Sequence, residues 1–180
     1  MELSNKKAEH RPRTGKKRLP RRPDRYYIPN RRDKMPRVSE IEVLRRREQP
    51  TISIRTRTKV EDLPGLIGES YCKMGAYLKE LGELPSDIPY VAYHNMDMQN
   101  LDVEIGFPVP KALPARGDIR PGFIPEGNVV FCMYRGAYRE MADWIVKNGL
   151  KPAGTAYEYY YNGPGYPKSE LLTMIVMPVA

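Results

Sequence analysis

The chain has no apolar run approaching the roughly 20 residues that span a bilayer, and its basic start is followed by no apolar stretch of the secretory kind. Cysteine and histidine are scarce, two of each. Cys72 and Cys132 stand alone at no metal-ligand spacing, and His10 and His94 are far apart in sequence. No phosphate-cradling glycine loop and no nucleophile–base pair is visible. These absences argue against a disulfide scaffold, a metal centre and a nucleotide enzyme. The expectation is a cytoplasmic, reduced protein with no cofactor and no membrane partner.

Basicity is present but confined. The net charge is +8, yet residues 1–34 hold 13 of the 30 Lys/Arg and only 4 of the 22 Asp/Glu. The remainder is close to neutral. Residues 1–36 therefore read as a solvated, disordered tail, with weak nucleic-acid contact through the phosphates by residues 1–34 as an alternative role. Met35 offers an alternative start that would remove residues 1–34 altogether. Residues 37–180 form the expected domain.

Hydrophobic periodicity organises that domain. Loose alternation over 41–58, interrupted by Pro50, reads as a strand with its best part at 50–58. Residues 61–81 read as a helix, started by Asp62 and Pro64 and stopped by Gly82, with Leu63, Ile67, Met74, Leu78 and Leu81 on one face. Gly65, Gly68 and Gly75 weaken it unless they allow close packing. Strands follow at 89–95 and 101–109. In the second, Val103, Ile105, Phe107 and Val109 share one face, and Asp102, Glu104 and Gly106 the other. Residues 110–126, rich in Pro and Gly, read as a connection. A strand at 128–135, a short helix at 136–149 and strands at 155–162 and 171–179 complete the chain. Tyr93-His-Asn95 is echoed by Tyr160-Tyr-Asn162, and Phe107-Pro-Val109 by Met177-Pro-Val179. The predicted fold is α+β: a tandem duplication of a strand–helix–strand–strand unit, repeat one at about 41–109 and repeat two at about 127–179. Its antiparallel sheet has a pseudo-twofold, with two helices on one face and a ligand groove between them.

Tyr134-Arg-Gly-Ala-Tyr138, Trp144 with Asn148-Gly149, Tyr157-Glu-Tyr-Tyr160 with Asn162-Gly-Pro164, and Glu170-Leu-Leu-Thr173 with Pro178 carry a resemblance. Over residues 40–179 the chain resembles the GyrI-like small-molecule-binding family, which includes effector-binding domains of multidrug-responsive transcription activators. The resemblance implies a receptor for aromatic or lipophilic cationic compounds, serving as a stand-alone sensor, a sequestering protein or a gyrase-inhibitor-like protein. It also carries an alternative, since some relatives are thought to hydrolyse electrophilic cyclopropanoids with a Glu and a Tyr. Three departures stand out. The second helix is short, Met174 stands where relatives often have Glu, and residues 1–34 show no helix-turn-helix pattern. A complete transcription activator is therefore not expected.

The site follows from strand geometry. Glu158 and Tyr160 are two apart and share a face, and the echo makes Tyr93 the mate of Tyr160 and Val91 the mate of Glu158. An acid among rings suits a lipophilic cation, each ring adding roughly 0.5–2 kcal/mol. Glu158, Tyr160 and Tyr93 are the leading ligand contacts, and Glu158 with Tyr160 would be the catalytic pair if the protein is an enzyme. Glu104 is a further candidate, although an alternating acidic face is commonly just solvated. Trp144 and Tyr138 line the helical wall or anchor the short helix. Tyr134 and Tyr77 are secondary contacts.

Overall fold

The computed structural model describes residues 38–135, 140–163, 165–167 and 170–180. The expectations for the basic tail, for Tyr138 and for part of the turn after Asn162 lie outside them. The elements run β1 (Glu42–Arg46), β2 (Gln49–Thr58), α1 (Leu63–Leu81), β3 (Tyr90–Tyr93), β4 (Leu101–Pro108), β5 (Arg120–Ile124), β6 (Gly127–Arg135), α2 (Glu140–Lys147), β7 (Ala156–Tyr160) and β8 (Leu172–Pro178).

α1 begins with Pro64 in its first turn and ends at Gly82, which adopts φ 69° and turns its N–H back to the carbonyls of Leu78 and Lys79. It buries Leu63, Ser70, Met74, Tyr77 and Leu78. Ile67 is half-buried, while Leu81, expected on the buried face, is exposed. Gly65, Gly68 and Gly75 face open space, so close packing is not their role.

All eight strands form one antiparallel sheet in the order β1-β6-β8-β7-β3-β4-β2-β5. The order is symmetric about the β7–β3 pair: β3-β4-β2 on one side answers β7-β8-β6 on the other. The registers repeat as well. Ile105 stands opposite Val91 as Ile175 stands opposite Glu158, and Ile54 opposite Ile105 as Cys132 opposite Ile175. The predicted connection at 110–126 needs correction, because residues 120–124 are β5. Pro121 and Gly122 hid it, and Pro is tolerated there because β5 is an edge strand. The single strand expected over 41–58 is two, broken at Arg47-Glu48 rather than at Pro50. The chain therefore runs strand–strand–helix–strand–strand twice, and the first strand of each run pairs with a strand of the other: β1 with β6, and β5 with β2.

That exchange forces the sheet to curl. β1 and β2 are six places apart in the sheet, about 29 Å if it were flat at ~4.8 Å per strand. The two-residue link between them spans about 11 Å at most. The link from β5 to β6 is equally short. Arg46 of β1 donates from Nε and Nη2 to the carbonyl of Pro125 in that second link, at 3.3 Å each.

Both helices pack on one face of the sheet. α1 covers Ile52, Ile54, Val91, Val103 and Ile105, and α2 covers Val130, Cys132, Tyr134 and Ile175 with its Met141 and Ile145. The other face curls around Tyr90, Tyr157, Tyr159, Ile124 and Val129. Among the described residues no helix is long and apolar enough to cross a membrane.

Candidate functional site

Glu158 lies at the symmetry centre of the sheet. Its cross-strand neighbours are Val91 on β3 and Ile175 on β8, both buried. It is itself only 9% exposed. A carboxylate among aliphatic neighbours is costly unless it is hydrogen-bonded. Two phenols supply that bonding. Tyr160 shares the face two residues along β7 and donates to Oε2 at 2.5 Å. Tyr93 stands opposite Ala156, diagonal to Glu158 across the β3–β7 pair, and donates to the same oxygen at 3.1 Å. The two phenol oxygens are 3.1 Å apart. Each phenol has one proton. With both committed to the carboxylate, that third contact carries none.

Among the described residues, Glu158 has no Lys, Arg or His partner and its Oε1 accepts no hydrogen bond. Burial, then the nearby Glu158 carboxylate, hold the Tyr160 and Tyr93 phenols far above the ordinary tyrosine range. They are neutral donors at any physiological pH.

The sequence did not single out Tyr71 as a site residue. It projects from α1 against the same cluster as Tyr93 and Tyr160, stacked on Phe107 with ring centroids 5.2 Å apart. It stands four residues after Ile67 and three before Met74 on α1, but only the packing shows it beside Tyr93. Its phenol contributes to raising that of Tyr93.

The remaining predicted residues scatter. Tyr77 is core: its hydroxyl donates to the Pro114 carbonyl at 2.6 Å, and Arg116 lies over its ring. Tyr134 is buried under α2, separated from Tyr160 by Thr173 across β8. Trp144 packs, half-buried, against that same cluster. Tyr138 lies outside the described residues.

Glu104 is on the opposite face, because β4 alternates and its neighbours Val103 and Ile105 face the helices. There it accepts from the Tyr90 hydroxyl at 2.7 Å and lies 3.3 Å from His94 Nε2. His94 Nδ1 is 3.2 Å from the Thr155 hydroxyl. His94, which showed no cluster in the sequence, thus links β3, β4 and the start of β7. The ring of Tyr157 on this face carries Arg46 at 4.8 Å. Tyr90, Tyr157 and Tyr159 are nearly inaccessible, so this face is filled by its own side chains. Met174, which stands where relatives often have Glu, packs here rather than beside Glu158. Among the described residues no three His, Cys, Asp or Glu side chains gather as a metal site.

A cleft of about 420 Å³ runs along the end of α1, lined by Gly75, Leu78, Lys79, Leu84, Pro85 and Phe107. Phe107 is shared between this cleft and the stack with Tyr71.

The GyrI-like small molecule binding domain matches residues 39–180. A comparison with curated proteins finds no match. Among solved structures, the chain resembles EcmrR in its DNA complex, with a TM-score of 0.67 at 20% identity, covering 78% of this chain. It spans 57% of that EcmrR chain, just over half its length. The EcmrR C-terminal domain alone gives 0.65 at 20% identity, over 79% of this chain and 98% of that one. A Listeria innocua protein described as a hydrolase gives 0.61 at 14% identity, over 78% and 92%. SAV2435, solved with tetraphenylphosphonium, gives 0.53 at 10% identity, over 79% and 94%. At these identities the likeness is one of fold.

Proposed function

The chain belongs to the GyrI-like small molecule binding domain family, and on that premise we propose that it binds lipophilic cations on the helix-bearing face of its sheet, with Glu158 as counter-charge. The observation that carries this is a carboxylate nearly sealed from water, held by two neutral phenols and paired with no cation among the described residues. A bound cation relieves the cost of that burial. Tyr93, Tyr160 and Tyr71 offer ring faces to the same guest, each worth roughly 0.5–2 kcal/mol. The fold shared with SAV2435, which was solved with a lipophilic cation, supports the ligand class. The repeated registers support an internal duplication in which only the second copy carries the acid, since Val91 holds the matching position.

Isothermal titration with tetraphenylphosphonium and with neutral triphenylphosphine oxide tests this reading. Glu158→Gln should weaken the phosphonium about tenfold or more, equivalent to ~1.4 kcal/mol, and leave the neutral compound unchanged. Equal weakening of both would sink it.

Hydrolysis is a second reading, favoured by the Glu158 Oε1 that accepts no protein hydrogen bond. That oxygen would take a proton from water as the water oxygen bonds to a carbon of an electrophilic cyclopropane; the ring C–C bond breaks, its electron pair passes into the compound's conjugated carbonyl and that carbonyl oxygen is protonated in turn, while Tyr160 keeps the carboxylate in place. Turnover of such a compound, lost in Glu158→Gln, would establish it. A compound recovered unchanged restricts the site to binding.

A further inference from the structure

Tyr71 has a hydroxyl that is buried and, among the described residues, has no hydrogen-bond partner. Its ring is fixed by the stack on Phe107 and by packing against the α1 cluster, so the hydroxyl cannot swing out to water without losing that contact. Leaving such a group unsatisfied costs about 1–3 kcal/mol. Replacing it with Phe would have removed that cost while keeping the stack. The two tyrosines nearest Glu158 spend their protons on the carboxylate, whereas Tyr71, on the same packed cluster, does not. Among the described residues, α1 thus carries a polar group without a hydrogen-bond partner and β7 an acid without a cationic one, both against the same packed cluster as Tyr93 and Tyr160.

Resting on the cation-binding reading, we propose that Tyr71 is a specificity residue for a hydrogen-bonding oxygen on the ligand, so that the preferred guest is a lipophilic cation bearing a carbonyl, ether or hydroxyl away from its charge. The charge goes to Glu158 and the oxygen to Tyr71. Two fixed contacts from opposite walls orient the guest, where rings alone would hold it in many poses.

The test uses the full chain and two series of probes: tetraphenylphosphonium itself, and phosphoniums with acetyl, methoxy or hydroxyl on one phenyl ring. At least one oxygenated probe should bind the wild-type protein five- to tenfold more tightly than tetraphenylphosphonium. Tyr71→Phe, which keeps the ring, should bring the ratio of oxygenated-probe to tetraphenylphosphonium affinity from five- to tenfold down to about one, and that ratio is the readout. Tyr71→Leu, which also removes the ring, should weaken every probe. A Tyr71→Phe protein that keeps the preference, or that loses affinity for all probes alike, overturns the role of the hydroxyl. So does a wild-type protein that shows no preference. If no phosphonium binds the wild-type protein, it is the cation-binding reading that fails.

Discussion

A single hydrogen at Gly106 keeps the concave face intact. A Cβ built there would lie 2.6 Å from the ring and hydroxyl of Tyr90. Those atoms are the far end of a side chain, but Tyr90 is fully buried and bonded to Glu104, so it has nowhere to go. Gly106→Ala should destabilise the fold by about 1–3 kcal/mol, read as a lower urea midpoint with an unchanged slope. The residue scale also shows what alternation can and cannot tell. The two faces of β4 were legible from Val103, Ile105 and Phe107 against Asp102, Glu104 and Gly106. Which face carries the helices was not, because both faces of this strand are largely covered. Glu104 and Glu158, each an acid near tyrosines, looked alike in sequence and sit on opposite sides of the sheet.

At the scale of elements, punctuation was the reliable signal. Gly82 ended α1 as its position after an apolar-periodic run implied, and its left-handed backbone is the reason. Gly82→Ala should cost about 1 kcal/mol without touching the site, seen as a lowered Tm with tetraphenylphosphonium affinity preserved. The same reasoning misled at β5, where Pro121 and Gly122 mark an edge strand instead of a loop. An edge strand keeps only one ladder, so the missing Pro N–H is tolerated on its free side. β1 and β5 are short and pair with strands distant in the chain, β6 and β2. No local pattern encodes a partner supplied from across the sheet.

At the scale of the molecule, the curl and the buried phenols set the response to perturbation. Arg46 ties β1 to the β5–β6 link and lies over Tyr157. Arg46→Ala should destabilise by ~1 kcal/mol, with hydrogen exchange rising first in residues 42–46 and 124–130 while the central strands stay protected. Burial raises the phenols of Tyr71, Tyr90, Tyr93 and Tyr160, and pushes Tyr159 up to about 12. The folded state therefore holds these protons more tightly than the unfolded chain, whose tyrosines release theirs near 10.0. Stability is undiminished below that value and declines as the pH climbs beyond it. Absorbance at 295 nm should show a late group of phenols ionising together with loss of tertiary circular dichroism. Simple titration of every tyrosine near 10.0, with the fold intact, would contradict this.

The sequence by itself determined the order of the elements from α1 to β4 and from β6 to β8, the position of the helix stops, the two-residue pairing of Glu158 with Tyr160, and the echo that matched Tyr93 to Tyr160. Those are local or self-similar properties, fixed by side-chain periodicity and backbone punctuation. Tertiary structure alone decided that β1 and β5 cross over and curl the sheet, that Glu104 and His94 belong to the other face, and that Tyr71 comes down from α1 beside Tyr93. Each of these depends on which distant strand lies alongside and how far the sheet must bend to satisfy a two-residue link, and a residue's own neighbours in the chain carry no record of either.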